Sequence, residues 1–226
     1  MPVGDLAGVW PLFGLRIQTA RLELRLPADI ELPALAAAAR VIGPVGGGRY
    51  QRSWMYEPSP VMERRLLQQH WRDLAQWRPA SWHLGLAAFL DGVPIGMQDV
   101  WAVDFTVTRS VTTGSWLTLS QQALGHGTQM RAGVLDLAFE FLAAVEAHTD
   151  YLAGNAASEA VSRKLGYAPN GQRVVDHGGT PWVRHDMRLT AAGHAATAGR
   201  YGTSAVTGVA PCLGLFGLDP AAPAGR

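Results

Sequence analysis

Ser120-Gln-Gln-Ala-Leu-Gly-His-Gly-Thr128 runs without a break into Gln129-Met-Arg-Ala-Gly-Val-Leu-Asp-Leu-Ala-Phe-Glu-Phe-Leu142, and this stretch decides the fold. Its first half is a glycine turn, Gln122-x-x-Gly125-x-Gly127. Its second half is an apolar-periodic helix with Met130, Val134, Leu137 and Phe141 on one face and Leu135, Phe139 and Leu142 on another, so it should be largely buried. Immediately upstream, Val111-Thr-Thr-Gly-Ser-Trp-Leu117 is strand-like. In a strand, glycine turn and helix in that order, backbone N–H groups point outward at the positive end of a helix dipole, which suits a phosphate. The lysine and hydroxyl pair of a P-loop is absent and one glycine of the dinucleotide fingerprint is missing, so neither usual nucleotide signature applies. A helix start that needs permissive backbone angles would also explain the two glycines.

Downstream, Asn155-Ala-Ala-Ser158-Glu-Ala-Val-Ser-Arg-Lys164-Leu-Gly166-Tyr167 has the grammar of a short helix. Asn155 stands at the N-cap, Ser158 in the first turn, Lys164 in the last turn and Gly166 just past the end. Capping alone accounts for every polar residue in it. With Thr19-Ala-Arg-Leu-Glu-Leu-Arg-Leu-Pro27, Gly96-Met-Gln-Asp99 and Thr113-Gly-Ser-Trp-Leu117, these segments resemble the GNAT N-acyltransferase superfamily, in its ribosomal-protein N-terminal acetyltransferase-like branch. The resemblance spans residues 16–190. It implies an α/β (α+β) single domain with a mixed central sheet of about six or seven strands, splayed between the fourth and fifth, and about four flanking helices. Residues 1–15 would then be an N-terminal extension and residues 191–226 a tail.

The remaining chain supplies those elements. Arg21-Leu-Glu-Leu-Arg-Leu26 alternates at the strand period, and residues 28–40 are an alanine-rich helix candidate ending before Gly43-Pro-Val-Gly-Gly-Gly48. Ser59-Pro60 opens a second helix with an N-cap and a proline at its first position, carrying Leu67, Trp71 and Leu74 on one face. Residues 82–90, the turn Asp91-Gly92 and residues 95–101 form a hairpin, 145–149 a strand, and 173–177 with 182–189 a closing hairpin around Gly178-Gly179. From Ala191 the sequence is rich in Ala, Gly, Thr and Pro with little periodicity, which predicts a mobile tail. Its one apolar stretch, Leu213-Gly-Leu-Phe-Gly-Leu218, would serve a contact such as a homodimer interface.

What the resemblance implies chemically follows from amide formation, in which a neutral amine attacks an acyl thioester and a thiolate leaves. It places Trp116, Leu117 and Thr118 beside the acyl group of acetyl-CoA, the co-substrate, with succinyl-CoA the other donor considered. Gln122, Ala123, Leu124, Gly125, His126, Gly127 and Thr128 would surround its pyrophosphate, with Asn155, Ser158 and Lys164 along the arm. Ser158 takes the position that supplies a hydroxyl to the departing sulfur, while the tyrosine of many other members would fall at Ser162. Asp99 is the first candidate for general base, with Glu146, His148 and water as alternatives. The loop departs from close relatives in carrying Ala123 and Leu124 where they have glycine and a basic residue, which weakens anion attraction.

For the acceptor, the segments Gly46-Gly-Gly-Arg-Tyr-Gln-Arg-Ser-Trp-Met-Tyr56 and Trp101-Ala-Val-Asp-Phe105 hold more aromatic and arginine side chains than carboxylates. Arg49, Arg52, Trp54 and Trp101 therefore point to a small amine with an apolar or acidic portion rather than a basic protein tail, although solvated arginines would look the same. A protein N-terminal acyltransferase and a catalytically silent acyl-CoA-binding domain of the same fold remain as alternatives.

Composition adds exclusions. The formal charge is +1, from 19 basic and 18 acidic residues among 226, so no broad field favours nucleic acid or an anionic membrane. Lys164 is the single lysine. One cysteine, Cys212, cannot form an internal disulfide, and its setting in the tail argues against a positioned nucleophile. Seven histidines show no paired ligand spacing, so no metal is expected. No apolar run reaches about 18 residues and no secretion signal opens the chain, which makes the cytoplasm the expected compartment.

Overall fold

A computed structural model of the chain describes residues 6–42, 55, 57–177 and 179–218. Among these described residues, nine strands make one sheet in the order β7-β8-β6-β5-β4-β3-β2-β1-β9. They are β1 (Arg16–Gln18), β2 (Glu23–Arg25), β3 (Trp82–Leu90), β4 (Val93–Ala102), β5 (Ser110–Leu117), β6 (Glu146–Leu152), β7 (Ala168–Asp176), β8 (Pro181–Thr190) and β9 (Ala205–Thr207). Every neighbouring pair is antiparallel except β5 with β6, which are parallel. The sheet exceeds the expected six or seven strands by the two short ones at its edge, β1 and β9, which pair with each other.

Helices α1 (Leu32–Ala39) and α2 (Val61–Ala75) cover one face, where Leu32, Leu35, Met62 and Leu66 pack on Ala87, Phe89, Met97 and Trp116. Helices α4 (His126–Asp136) and α5 (Ala156–Lys164) cover the other, where Met130, Val134, Val161 and Leu165 meet Leu24, Leu84, Leu86 and Val100. Because both faces are covered, β3 and β4 are nearly continuous apolar runs instead of alternating ones. The hairpin between them turns on Asp91 (φ 50°) and Gly92 (φ 78°), both left-handed as a two-residue turn of this twist requires. A four-residue turn, α3 (Phe105–Thr108), leads into β5.

Three expectations are corrected. Helix α2 starts at Val61, and the Ser59 hydroxyl donates to Glu63 (2.8 Å) instead of capping the backbone. Its buried face is Met62, Leu66 and His70, leaving Trp71 49% exposed. The expected phase of the long helix fails at its end, because residues Leu137–Phe141 widen into a π-helical turn that carries Phe141 to the surface.

The third correction concerns the tail, which over residues 191–218 is part of the fold. Thr190 caps α6 (Ala191–Thr197) by accepting from the Gly193 N–H (3.1 Å). Next β9 completes the sheet edge, and a 3₁₀ helix over Ala210–Phe216 drives Cys212 and Phe216 into the core. Phe216 packs edge-on against Trp77 (5.4 Å) and Trp82 (4.9 Å), and the Leu215 carbonyl accepts from the Trp77 indole (2.7 Å). Leu213 and Leu218 pack on this same core, so the apolar stretch is used within the chain. Burial raises the Cys212 thiol to about 11, which excludes thiolate chemistry near neutral pH. Residues 6–15 are likewise built in, with Leu12 and Leu15 fully buried.

One buried ion cluster ties α2 to the sheet. His83 on β3 contacts Asp73 of α2 through Nδ1 and Asp99 of β4 through Nε2, both at 3.2 Å. Burial opposes its charge, but the two carboxylates outweigh burial and raise the imidazole to about 9.

Two outcomes follow. Replacing Phe216 by Ala should cost about 3–5 kcal/mol in urea titrations, and deleting residues 191–226 should abolish soluble monomer. Since the folded His83 pKa lies above its unfolded value, its contribution is complete below pH 6.5 and is lost as pH rises through about 9. Stability should therefore fall over that window in the wild type, and His83→Gln should flatten the decline. An unchanged decline would reject the cluster as its source.

Candidate active site

The parallel pairing of β5 and β6 covers only Ser110↔Glu146, Val111↔Ala147 and Thr112↔His148, although both strands continue beyond. Two threonines end it. Thr149 Oγ1 donates to the Thr113 carbonyl (3.1 Å), and Thr113 Oγ1 donates to the His148 carbonyl (3.4 Å), so side chains take acceptors that a longer ladder would have used. The buried Tyr167 hydroxyl meets Thr113 Oγ1 at 3.1 Å, and the Gln98 amide donates to the Gly114 carbonyl at 2.9 Å. Past this apex the strands bound a pocket of about 110 Å³ between residues 113–116 and 149–152, with Trp101 and Met55 on its wall.

A groove of about 430 Å³ runs from the same place along the start of α4 and the flank of α5. Its floor begins where Gly125, left-handed at φ 86°, caps α4. The backbone N–H groups of residues 123–127 donate to no acceptor among the described residues, so the start of the helix offers a cluster of amides at the positive end of its dipole. Ala123 is also left-handed (φ 59°), an arrangement costing a non-glycine residue about 1–2 kcal/mol. Gln122 fixes the turn by donating to the Ile42 and Leu117 carbonyls, each at 2.9 Å.

Of the residues expected around the co-substrate, Trp116, Leu117, Gln122, Ala123, Gly125, Gly127, Thr128, Asn155, Ser158 and Lys164 line this groove. Thr118, Leu124 and His126 do not. Thr118 hydrogen-bonds to Val41 and Ile95 at the end of β5, and Leu124 faces solvent. His126 is 1% exposed, and burial with the charge of Arg21 holds its imidazole below the ordinary value against the Gln121 carbonyl, so it adds no charge near a phosphate. Asn155 caps α5 by accepting the Ser158 N–H (3.1 Å). Ser158 Oγ has no hydrogen-bond partner among the described residues and lines both cavities.

Asp99 is not at the site. It is 1% exposed, lies against His83 and lines neither cavity, so its proposed role as base is withdrawn on position. Glu146 and His148 bond to each other (2.9 Å) at the paired, closed end of the splay, where Arg188 also holds Glu146. The carboxylate that lines the pocket is Asp150, 3.7 Å from Arg184. Trp101 lines the pocket, whereas Phe105 from the same segment is core. Arg49, Arg52 and Trp54 lie outside the described residues.

Sequence inspection missed Asp150 and Arg131. Asp150 fell beyond a strand predicted to stop at 149. Arg131, one turn after Gly127, is the charged residue inside an otherwise apolar helix face, and that mismatch was a usable signal.

A helix start with unpaired amides beside a splayed parallel pair is the arrangement an acyl-CoA transferase scaffold would need. Residues 21–168 match the family model described as an acetyltransferase (GNAT) domain, and the chain belongs to that family of N-acetyltransferases. The fold is similar to Mycobacterium smegmatis RimJ in complex with CoA-disulfide (18% identity, 78% of this chain and 88% of that one, TM-score 0.64). It is also similar to RimL, a ribosomal L7/L12 alpha-N-protein acetyltransferase, in complex with coenzyme A (14%, 76% and 94%, TM-score 0.63). A third similar structure is a GCN5-related N-acetyltransferase from Brucella melitensis (13%, 82% and 83%, TM-score 0.65).

Acyl-CoA would fit the residues present: the 123–127 amides suit a pyrophosphate, and Lys164 lines the groove. A Cβ on Gly127 would meet only Leu117 and Val161, at 3.7 and 3.9 Å, so a side chain there is accommodated and projects between the groove walls. Gly127→Asp should keep the fold, since a carboxylate is favourable at a helix start, and should abolish coenzyme A binding in calorimetry. Unchanged affinity in the folded variant would reject the groove.

Proposed function

We propose that the protein transfers an acetyl group from acetyl-CoA to the primary amine of a small molecule by direct attack in a ternary complex. The observation that carries this reading is the junction of the two cavities, which share Ser115, Trp116, Arg131, Asn155 and Ser158. An acyl group carried along the groove reaches an amine in the pocket only there. The pocket, at about 110 Å³, is small, polar and aromatic-walled, which favours a short acyl chain and a compact acceptor over an extended peptide.

Within this reading the chain's own groups divide the work. Beyond Thr112, β5 has backbone groups unpaired with β6, and these orient and polarise a carbonyl. Ser158 Oγ supplies the hydroxyl to the departing sulfur. Asp150 attracts the acceptor ammonium and takes up its proton, and Trp101 packs on the acceptor's apolar portion. Succinyl-CoA is the alternative donor. The competing acceptor, a ribosomal-protein N-terminus, rests on the activity named for RimL and not on a feature of this pocket.

Thiol release from acetyl-CoA and succinyl-CoA should be measured across small amines and basic N-terminal peptides. Turnover with small amines is expected; efficient acylation of peptides alone would overturn the acceptor class, and binding without turnover on any amine would leave a silent acyl-CoA-binding domain. Ser158→Ala should lower kcat by roughly 10²-fold or more with KM for the donor little changed, whereas Asn155→Ala should cost about 1 kcal/mol of stability. An unaltered kcat in Ser158→Ala would return the proton to water.

A further inference from the structure

Arg131 is 3% exposed and forms no ion pair with a described residue, yet it lines both cavities. Its Nη1 donates to Ser162 Oγ (2.9 Å) and its Nη2 to Ser115 Oγ (3.2 Å), while Nε has no partner. A guanidinium stays charged under all relevant conditions, and burying one without a counter-ion costs several kcal/mol. Two ionisable groups act on it from the packed elements, Tyr167 and Asp150. Burial holds the Tyr167 phenol above its ordinary value, so it remains neutral, and Asp150 is shared with Arg184. The chain therefore maintains a fixed positive charge, braced by β5 on one side and α5 on the other, where the groove opens into the pocket.

Ser162 shows what this charge accompanies. Its hydroxyl donates to the Ser158 carbonyl (2.9 Å) while accepting from Arg131, so its proton is committed and it cannot act as an acid. The serine is fully buried and short, which leaves room for the guanidinium to reach the junction from α4.

We propose that Arg131 is a catalytic residue whose guanidinium stabilises the negative charge on the coenzyme A sulfur as the acyl group departs. This rests on the reading given under Proposed function. In the step it assists, the amine nitrogen bonds to the acyl carbon, the carbon–sulfur bond breaks, and its electron pair leaves on sulfur. The amine proton passes to Asp150 or water, and the sulfur later gains a proton to leave free coenzyme A. A cation beside the sulfur lets it leave before that proton arrives, so Ser158 needs only to donate a hydrogen bond. Preorganised charge of this kind needs no rearrangement during the reaction, which is how a costly buried cation becomes useful.

The test needs no turnover. A thiol beside a fixed cation ionises at lower pH than a free one, by about one unit or more. Coenzyme A bound to the wild type should therefore show thiolate ultraviolet absorbance at a pH at least one unit below that of free coenzyme A. Its affinity relative to S-methyl-coenzyme A, which cannot ionise, should rise correspondingly with pH, about tenfold per unit. Arg131→Gln should return the bound thiol to its free value and lower kcat, and Arg131→Lys should retain part of the shift. Equal titration of bound and free coenzyme A in the wild type would overturn the proposal even if no variant folds. Wild-type affinity for coenzyme A without that shift separates this failure from failure of the groove itself, which would appear as no binding at all. A preference for acyl-CoA with a terminal carboxylate, lost in Arg131→Gln while the thiol titrates normally, would assign the charge to the acyl chain and overturn the role at sulfur.

Discussion

The site depends on a parallel ladder that stops. Strands β5 and β6 share three residue pairs and then separate, and the separation is maintained because the polar groups at the apex are already occupied. Thr113 and Thr149 each bond to backbone on the opposite strand, Tyr167 bonds to Thr113, and Gln98 holds the Gly114 carbonyl. Without these bonds, the apex carbonyls would favour continued pairing of the two strands, because a buried unpaired backbone group costs about 1–3 kcal/mol. The hydroxyl network thus converts a sheet interior, normally closed to ligands, into a wedge with walls from both strands.

The wedge acquires direction from what lies on either face. On the α4 side, a left-handed Gly125 sets the helix start so that consecutive amides remain available, and these supply anion attraction that the loop side chains do not. The sequence places no basic residue in the turn, and the structure removes the one titratable group there by burying His126. On the α1 and α2 side, Trp101 closes the pocket. Its ring lies 5.5 Å from His83, so the His83 ion cluster with Asp73 and Asp99 underlies that wall. Asp99 is thereby a support for the wall and not a proton acceptor within it.

Much of this was legible in the residues, for identifiable reasons. The glycine turn, the Asn155 cap and the Asp91-Gly92 hairpin are local devices, fixed by backbone geometry within a few positions, and local devices survive translation from sequence to structure. Arg131, Asp150 and Asp99 are different, because whether a charge faces a cavity or an ion partner depends on which strands become neighbours. Asp99 and Asp150 are both strand carboxylates, distinguished only by His83 on the adjacent strand and by the point at which β6 leaves β5. The C-terminal segment escaped for another reason. A three-residue strand and a 3₁₀ helix have no 3.6-residue period to display, and they are held by long-range contacts, β9 on β1 and Phe216 against Trp77 and Trp82, that join residues far apart in the chain.

Buried polar atoms without partners among the described residues include Gln98 Oε1, the Trp116 indole N–H and Arg131 Nε around β5 and the helix beside it, and the Trp10 and Trp82 indoles in the aromatic core. Each weakens the fold by about 1–3 kcal/mol if left dry, and their neighbours in the sheet are well-packed apolar runs. The aromatic assembly of Trp10, Trp77, Trp82, Phe105 and Phe216 offsets such losses at a distance, tying the N-terminal segment, the end of α2, β3 and the C-terminal segment into one cluster. Of the residues with unpartnered atoms, Trp116 and Arg131 line the groove, where a charged, hydrogen-bonding co-substrate would meet the indole N–H and the guanidinium. The C-terminal segment contributes to this balance, because Phe216 closes the aromatic cluster against Trp77 and Trp82 and so adds burial that offsets the polar atoms left unpaired elsewhere.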